Sequence, residues 1–307
     1  MEAVAIDRLD EYQSRARETD HLGDDAASGD PRLGPLLGLA GEVGTLLAGY
    51  KKWMRDGAAY ELFEDNVREE LGDILWSLSN AADKWGMPLS EIAAANLEKT
   101  HDRWPPRDSK RRRRPASDHL DAPFPRGEQL PRTFEVTIRP VPSTAGVEPK
   151  IEILWKGQRR ANELGDNTYG DTGYRFHDVF HLANAAVLGW SPVARAKIFE
   201  RKRRSDEMVN TVEDGGRAIV IEEGIAAYMF AYASTHDFLR TLERLDFSAL
   251  KTFRTLSAGL EVDQRPLWQV EEAVIQGFRV WDKVQENEGG ILRGDLAART
   301  LSYVGTA

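Results

Sequence analysis

Cysteine is absent from all 307 residues, which excludes disulfides, thiolate zinc sites, iron–sulfur clusters and cysteine nucleophiles together. Any metal must therefore sit on carboxylates, imidazoles or carbonyl oxygens. Positive charge is in short supply as well: 41 Lys and Arg stand against 50 Asp and Glu, a net charge of -9, which disfavours a surface that tracks nucleic acid throughout. Long apolar runs are missing. No stretch approaches the roughly 18 apolar residues of a membrane span, and the N-terminal MEAVAIDRLDEYQSRARETD alternates charge with single apolar residues, unlike a signal peptide. The phosphate-loop pattern and Gly-x-Gly-x-x-Gly are both absent, so neither a Walker nor a Rossmann nucleotide site is supported. These absences lead to the expectation of a cytoplasmic protein with no membrane partner, for which nucleic acid is a disfavoured partner.

What is present divides the chain. Its length suits two domains. Apolar residues at three- and four-residue steps predict helices over 5–19 (Ile6, Leu9, Tyr12, Ala16), from Leu36 to Tyr50, over 60–85, and from an N-cap at Ser90 to Arg103. The first hundred residues thus read as an all-α bundle with its apolar stripes turned inward. From Trp104 the chain is rich in proline and carries the basic run Lys110 to Arg114, the composition of a linker. Beyond it, TFEVTIRPV (133–141) and KIEILW (150–155) alternate like two strands. Helices return near 176–189, 192–203, 217–234, 247–258 and 267–285. The expected fold is mainly α: an all-α bundle at 1–104, a linker at 105–130, and a mostly helical α+β domain at 131–307 with its β-element at the entrance.

Helical residues three apart share a face, so Glu70 and Asp73 in EELGDILW present two carboxylates to one point. Glu42 in GLAGEVG occupies the corresponding surface of the preceding helix, and antiparallel packing would gather three like charges. A hard divalent cation relieves that cost, and oxygen-only ligation suits Mg2+. Ordinary solvated helix acids are the plainer reading.

Four blocks in order, GLAGEVG, KKWMRDG, EELGDILW and NLEKTHDRW, resemble the MazG-like nucleoside triphosphate pyrophosphohydrolases over about residues 5 to 104. The resemblance implies an all-α enzyme that hydrolyses a nucleoside triphosphate between its α and β phosphates, releasing monophosphate and pyrophosphate. It implies Glu42, Glu70 and Asp73 as catalytic and metal-binding residues with Mg2+, Mn2+ being the alternative. It also implies cationic and polar residues about the polyphosphate, namely Lys51 or Lys52, Asn96, Lys99 and Arg103, and subunits that associate as a homo-oligomer, dimer or higher. The departure is Thr45, which stands where the family usually has a second glutamate. A nucleotide-sensing regulatory protein with a weakened centre is therefore the first alternative.

The second alternative is a separate metal-dependent hydrolase in the C-terminal domain. His177 and His181 lie one helical turn apart, with Asp178 adjacent, and Glu222 and Glu223 offer carboxylates from another helix. Satisfied core histidines are the structural alternative. The basic clusters at 110–114 and 201–204 are read as solvated charge in preference to phosphate contacts.

Overall fold

Residues 134, 136 and 138 point to one side of an extended segment, as do 151, 153 and 155, and all six side chains are buried. This period of two is what a half-buried sheet requires. In the computed structural model, which describes residues 8–20, 29–60, 63–105, 114–142, 149–166 and 168–306, the two segments form β1 (Thr133–Val141) and β2 (Lys150–Trp155). They pair antiparallel with Ile138 opposite Ile153 and Val136 opposite Trp155.

The sheet is larger than its two expected strands. It has five antiparallel strands in the order β3-β2-β1-β4-β5, adding β3 (Gln158–Leu164), β4 (Gly290–Asp295) and β5 (Thr300–Gly305). The β-element is thus not confined to the entrance of the domain. β4 pairs directly with β1, Phe134 lying opposite Gly294, where a Cβ on residue 294 would sit 2.2 Å from the Phe134 ring.

The chain divides into two compact units, Met1–His101 and Asp102–Ala307. In the first, α1 (Leu9–Arg17), α2 (Leu33–Asp56), α3 (Phe63–Lys84) and most of α4 (Leu89–Arg103) follow one another. Ser90 is not the N-cap of α4, because the helix already begins at Leu89. The start is held from α1: Gln13 Oε1 accepts from the Leu89 amide at 2.8 Å, and the Asp10 carboxylate accepts from the Ser90 amide at 2.9 Å and its hydroxyl at 2.6 Å. The inward turn of the apolar stripes also needs correction. Among the described residues of this unit, the buried apolar side chains are Ala16, Pro35, Ala81, Ala82 and Leu89, while Leu37, Leu47, Met54 and Leu71 are more than half exposed.

The second unit carries α5 (Asp178–Ala183), α6 (Glu207–Val212), α7 (Gly216–Ser234), α8 (Phe247–Leu256) and α9 (Leu267–Glu286). α9 is its central helix. Leu267, Val270, Val274, Phe278, Trp281 and Val284 recur at helical steps and are all buried, and a Cβ at Gly277 would meet Phe180 and Ala183 of α5 at 3.2 and 3.3 Å, so the two helices approach closely there. The expected helix over 192–203 starts where expected but ends early: residues 192–198 are helical, 194–198 of them π-helical, and the residues after them form a loop before α6, which sequence reading missed. A second π segment at 184–188 extends α5.

The expected linker of 105–130 is in part built into this unit. Residues 106–113 lie outside the described residues, but from Arg114 onward the segment is packed: Arg114, His119, Asp121 and Leu130 are buried. Asp121 bridges the Arg195 and Arg132 guanidinium groups at 3.0 and 2.7 Å and caps the Leu130 amide at 2.6 Å. The reading of 201–204 as solvated charge also fails at one position. Arg203 is 1% exposed and is paired with both Asp214 (2.8 Å) and Glu261 (2.7 Å).

Candidate functional site

The expected acidic cluster forms on α2 and α3, which pack against each other. Glu42 and Glu70 are partly buried, whereas Asp73 is exposed. Desolvation, and then the neighbouring Glu42, Asp73 and Glu69 carboxylates, push the Glu70 carboxyl above its ordinary value. Its Oε2 atom is buried without a hydrogen-bond donor. Asp73 faces α1 as well: burial first, and then the Asp73 charge, raise the Tyr12 phenol.

A pocket of about 220 Å³ adjoins Glu70, lined among others by Thr45, Lys52, Tyr60, Phe63 and Asn66. The Phe63 ring stacks on Trp53, centroids 5.2 Å apart, and Asn66 donates to the Tyr60 hydroxyl at 2.9 Å. Thr45 turns its hydroxyl back onto the Gly41 carbonyl at 3.3 Å. Lys52 thus shares this pocket with Glu70. Asn96 and Lys99 are exposed on α4 and are not among the residues lining this pocket. Arg103, with Asp102, belongs to the second unit, where its guanidinium donates to the Leu245 carbonyl at 3.2 Å and lies 4.6 Å from the Phe247 ring centroid.

The second cluster is more tightly built. Ala218, Glu222, Ile225, Met229 and Ala233 form the buried stripe of α7, so Glu222 is a carboxylate set among core positions. It is 0% exposed. Three donors satisfy it: Asn184 Nδ2 at 3.1 Å, Ser191 Oγ at 3.0 Å and the Val193 amide at 2.9 Å. All three come from the irregular stretch between and within the two π segments, where the helical ladder is interrupted. The remaining neighbour of Glu222 is His181, whose Nδ1 lies 3.1 Å from Oε1.

Beyond His181 lies the rim. Its Nε2 is 3.2 Å from Glu223 Oε2, and His177 Nε2 is 3.6 Å from the same oxygen. Lys197 holds the other Glu223 oxygen at 3.0 Å, and Asp178 Oδ1 is 4.0 Å from His181 Nε2. Burial opposes charge on His181, but Glu222, Glu223 and Asp178 outweigh it and push the imidazole up to about 10. Burial likewise opposes charge on Glu223, yet hydrogen bonds from His177, His181 and Lys197 hold its carboxyl far below the usual carboxylate range. The structure thus brings His177, His181, Glu222 and Glu223 together and separates the two glutamates by role. Sequence reading missed Asn184, Ser191, Lys197 and Tyr174; a charged residue within the apolar stripe of α7 was the available signal that Glu222 needed buried partners.

The two units define a mainly helical protein with one partly buried carboxylate cluster and one more deeply buried imidazole–carboxylate cluster. The chain belongs to the family described as MazG C-terminal domain, which matches residues 115–307. That match covers the second unit, whereas the resemblance read from sequence lay in the first. A relative, the Gene 37 protein of Mycobacterium phage L5, is 33% identical over 69 residues, which is 22% of this chain and 60% of that protein. No solved structure matches. Among the described residues, no helix is long and apolar enough to cross a membrane.

Proposed function

We propose that the chain hydrolyses nucleoside triphosphates to monophosphate and pyrophosphate at Glu42, Glu70 and Asp73. The observation that carries this reading is the donorless Glu70 Oε2 beside Glu42. Two carboxylates so placed need a shared proton or a cation, and a pocket with a lysine adjoins them. Membership of a family named for a domain that follows MazG adds support.

Mg2+, or Mn2+, fits Glu42, Glu70 and Asp73 as hard oxygen donors, and when bound it would neutralise the polyphosphate and polarise the reacting phosphorus. The protein supplies the rest. Lys52 offers a positive charge to the triphosphate chain, Asn66 a polar contact, and the Trp53–Phe63 stack an aromatic face for the base. Asn96 and Lys99, free on α4, are assigned to the polyphosphate in an assembled homo-oligomer. The large apolar exposure of α2 and α3 supports that assembly, because isolated monomers rarely leave so much uncovered. Thr45 in the pocket wall removes one charge from the site, which favours the nucleotide-sensing alternative to the extent that turnover is slow.

The test is pyrophosphate release from the eight common ribo- and deoxyribonucleoside triphosphates with Mg2+. Activity lowered by roughly a hundred-fold or more in Glu70→Gln and Asp73→Ala, with helical circular dichroism retained, is the expected result. Wild-type turnover in Asp73→Ala refutes the assignment. Binding of a triphosphate without a single turnover selects the sensor.

A further inference from the structure

A second site, independent of the pyrophosphohydrolase reading, stands in the second unit. We propose that His177 Nε2, His181 Nε2 and Glu223 Oε2 form a binding centre for a divalent transition metal of the zinc class, with an open coordination position on the solvent side.

The argument begins with the imidazole protons. A metal-ligating histidine usually donates its other ring N–H to a carboxylate or a backbone carbonyl, which fixes the tautomer and aims the free nitrogen at the ion. His177 is arranged in this way. His177 Nδ1 lies 2.9 Å from the Tyr174 carbonyl oxygen, which can only accept, so Nδ1 carries a proton and Nε2 is the nitrogen that faces Glu223 and would be the metal's ligand once its own proton is displaced. His181 Nδ1 lies 3.1 Å from Glu222 Oε1, itself fixed by three donors, but without hydrogen-bond geometry, while its Nε2 lies 3.2 Å from Glu223 Oε2. The two rings are 5.7 Å apart and nearly perpendicular, at 81°. The Tyr174 ring stacks on His177 at 4.6 Å and holds its plane.

The spacing then matches an ion. The three ligand atoms lie within 4.8 Å of one another. At zinc–ligand distances of about 2.0–2.1 Å, neighbouring ligands of a tetrahedral ion are about 3.4 Å apart. The two nitrogen-to-Glu223 distances, 3.2 and 3.6 Å, fall on either side of that value. Imidazole with carboxylate selects zinc, iron, nickel or manganese over Mg2+ and Ca2+, which prefer oxygen alone.

Charge points the same way. Asp178, Glu222 and Glu223 all face His181, and Lys197 is the lysine among them. A divalent ion would take over the compensation that an imidazolium proton provides here. Burial is graded: the His181 side chain is 0% exposed, that of His177 12% and that of Glu223 31%. A site closed behind and reachable in front leaves room for a ligand or water, as catalytic centres do and closed structural zinc sites do not.

The full chain, stripped of metal by a chelator, is titrated with CoCl2 and ZnCl2 and read by cobalt d–d absorption and calorimetry. One equivalent is expected per chain, with an absorption spectrum typical of nitrogen ligation, and affinity falls at least ten-fold in His177→Ala and in Glu223→Gln. Both residues lie at the rim, so these variants remain folded where His181→Ala would not. The Glu70→Gln variant keeps this binding, which separates it from any cation on the first unit. Failure of Co2+ and Zn2+ to bind, or binding that neither rim variant weakens, overturns the proposal and leaves a proton-held ionic cluster. Loss of pyrophosphate release in Glu70→Gln has no bearing on either outcome.

Discussion

The first and second units bury different things. In the first, the buried apolar side chains among the described residues are three alanines, one proline and one leucine, and leucines stand exposed along α2 and α3. The second encloses a continuous core from Phe134 to Leu301 and places ionised groups inside it, among them Arg195, Arg203, Asp214 and Glu222. Helix propensity forms helices in both. The difference shows that a helical unit can form its backbone hydrogen bonds and still bury little of the apolar surface that stabilises a fold; the first unit buries far less of it than the second.

The largest expected effect tests the second unit. Asp214→Ala leaves Arg203 facing Glu261 with its buried partner removed, and Arg195 also loses its contact at 3.5 Å. Breaking a buried pair from one side costs about 3–5 kcal/mol, to be measured by denaturant unfolding. A loss under about 1 kcal/mol would show that water reaches this network.

Next in size is a pH effect at His119. Burial, then the Arg132 and Arg114 charges, press its imidazole down to about 4. Its folded value lies below the unfolded one near 6.5, so the unfolded chain binds more protons between those limits and stability falls as pH drops from about 6.5 towards 4. The slope should amount to about 1–2 kcal/mol over that window. Thermal melts of His119→Gln, in which the slope disappears, check it.

Thr45→Glu tests the first unit. A carboxylate in the pocket wall beside Glu70 should tighten Mg2+ by roughly ten-fold, about 1.4 kcal/mol. Calorimetry showing unchanged affinity would place residue 45 outside the coordination sphere. The smallest effect is the most telling for the comparison. Leu71 is 51% exposed, so Leu71→Ala should change unfolding of an isolated chain by less than about 0.5 kcal/mol, yet weaken self-association in sedimentation. No change in either measurement would mean that the apolar face of α3 is not an interface.

Sequence reading reached some of this molecule and not the rest, for identifiable reasons. Period-two alternation located β1 and β2 because one face of each is buried. β3, with QRRANEL, has little such alternation, and β4 and β5 contain glycines that dilute theirs. Helical stripes located α2, α3, α7 and α9, but a stripe records which face is apolar and not whether anything covers it, so the exposure of α2 and α3 was invisible. Spacing placed His177 beside His181; it could not rank Glu222 against Glu223, because their difference lies in donors from residues 184 to 193 that the π segments deliver. Arg114 and Arg203 looked like surface charge because their partners lie far along the chain, the Val187 and Leu296 carbonyls for Arg114 and the Asp214 and Glu261 carboxylates for Arg203.

The pairing of β1 with β4 sets an order of events during synthesis. Thr133 takes Asp295 as its partner, while the other edge of β1 is closed at once by β2, a short hairpin away. At synthesis rates of 5–20 residues per second the open edge of β1 waits roughly ten to thirty seconds for its neighbour. A sheet of β1, β2 and β3 formed within that interval would carry an unpaired row of amides and leave the apolar faces of Val136 and Ile138 uncovered, a template for another nascent chain. α9, which covers this core, emerges immediately before β4, so the helix and the strand that end this exposure arrive together.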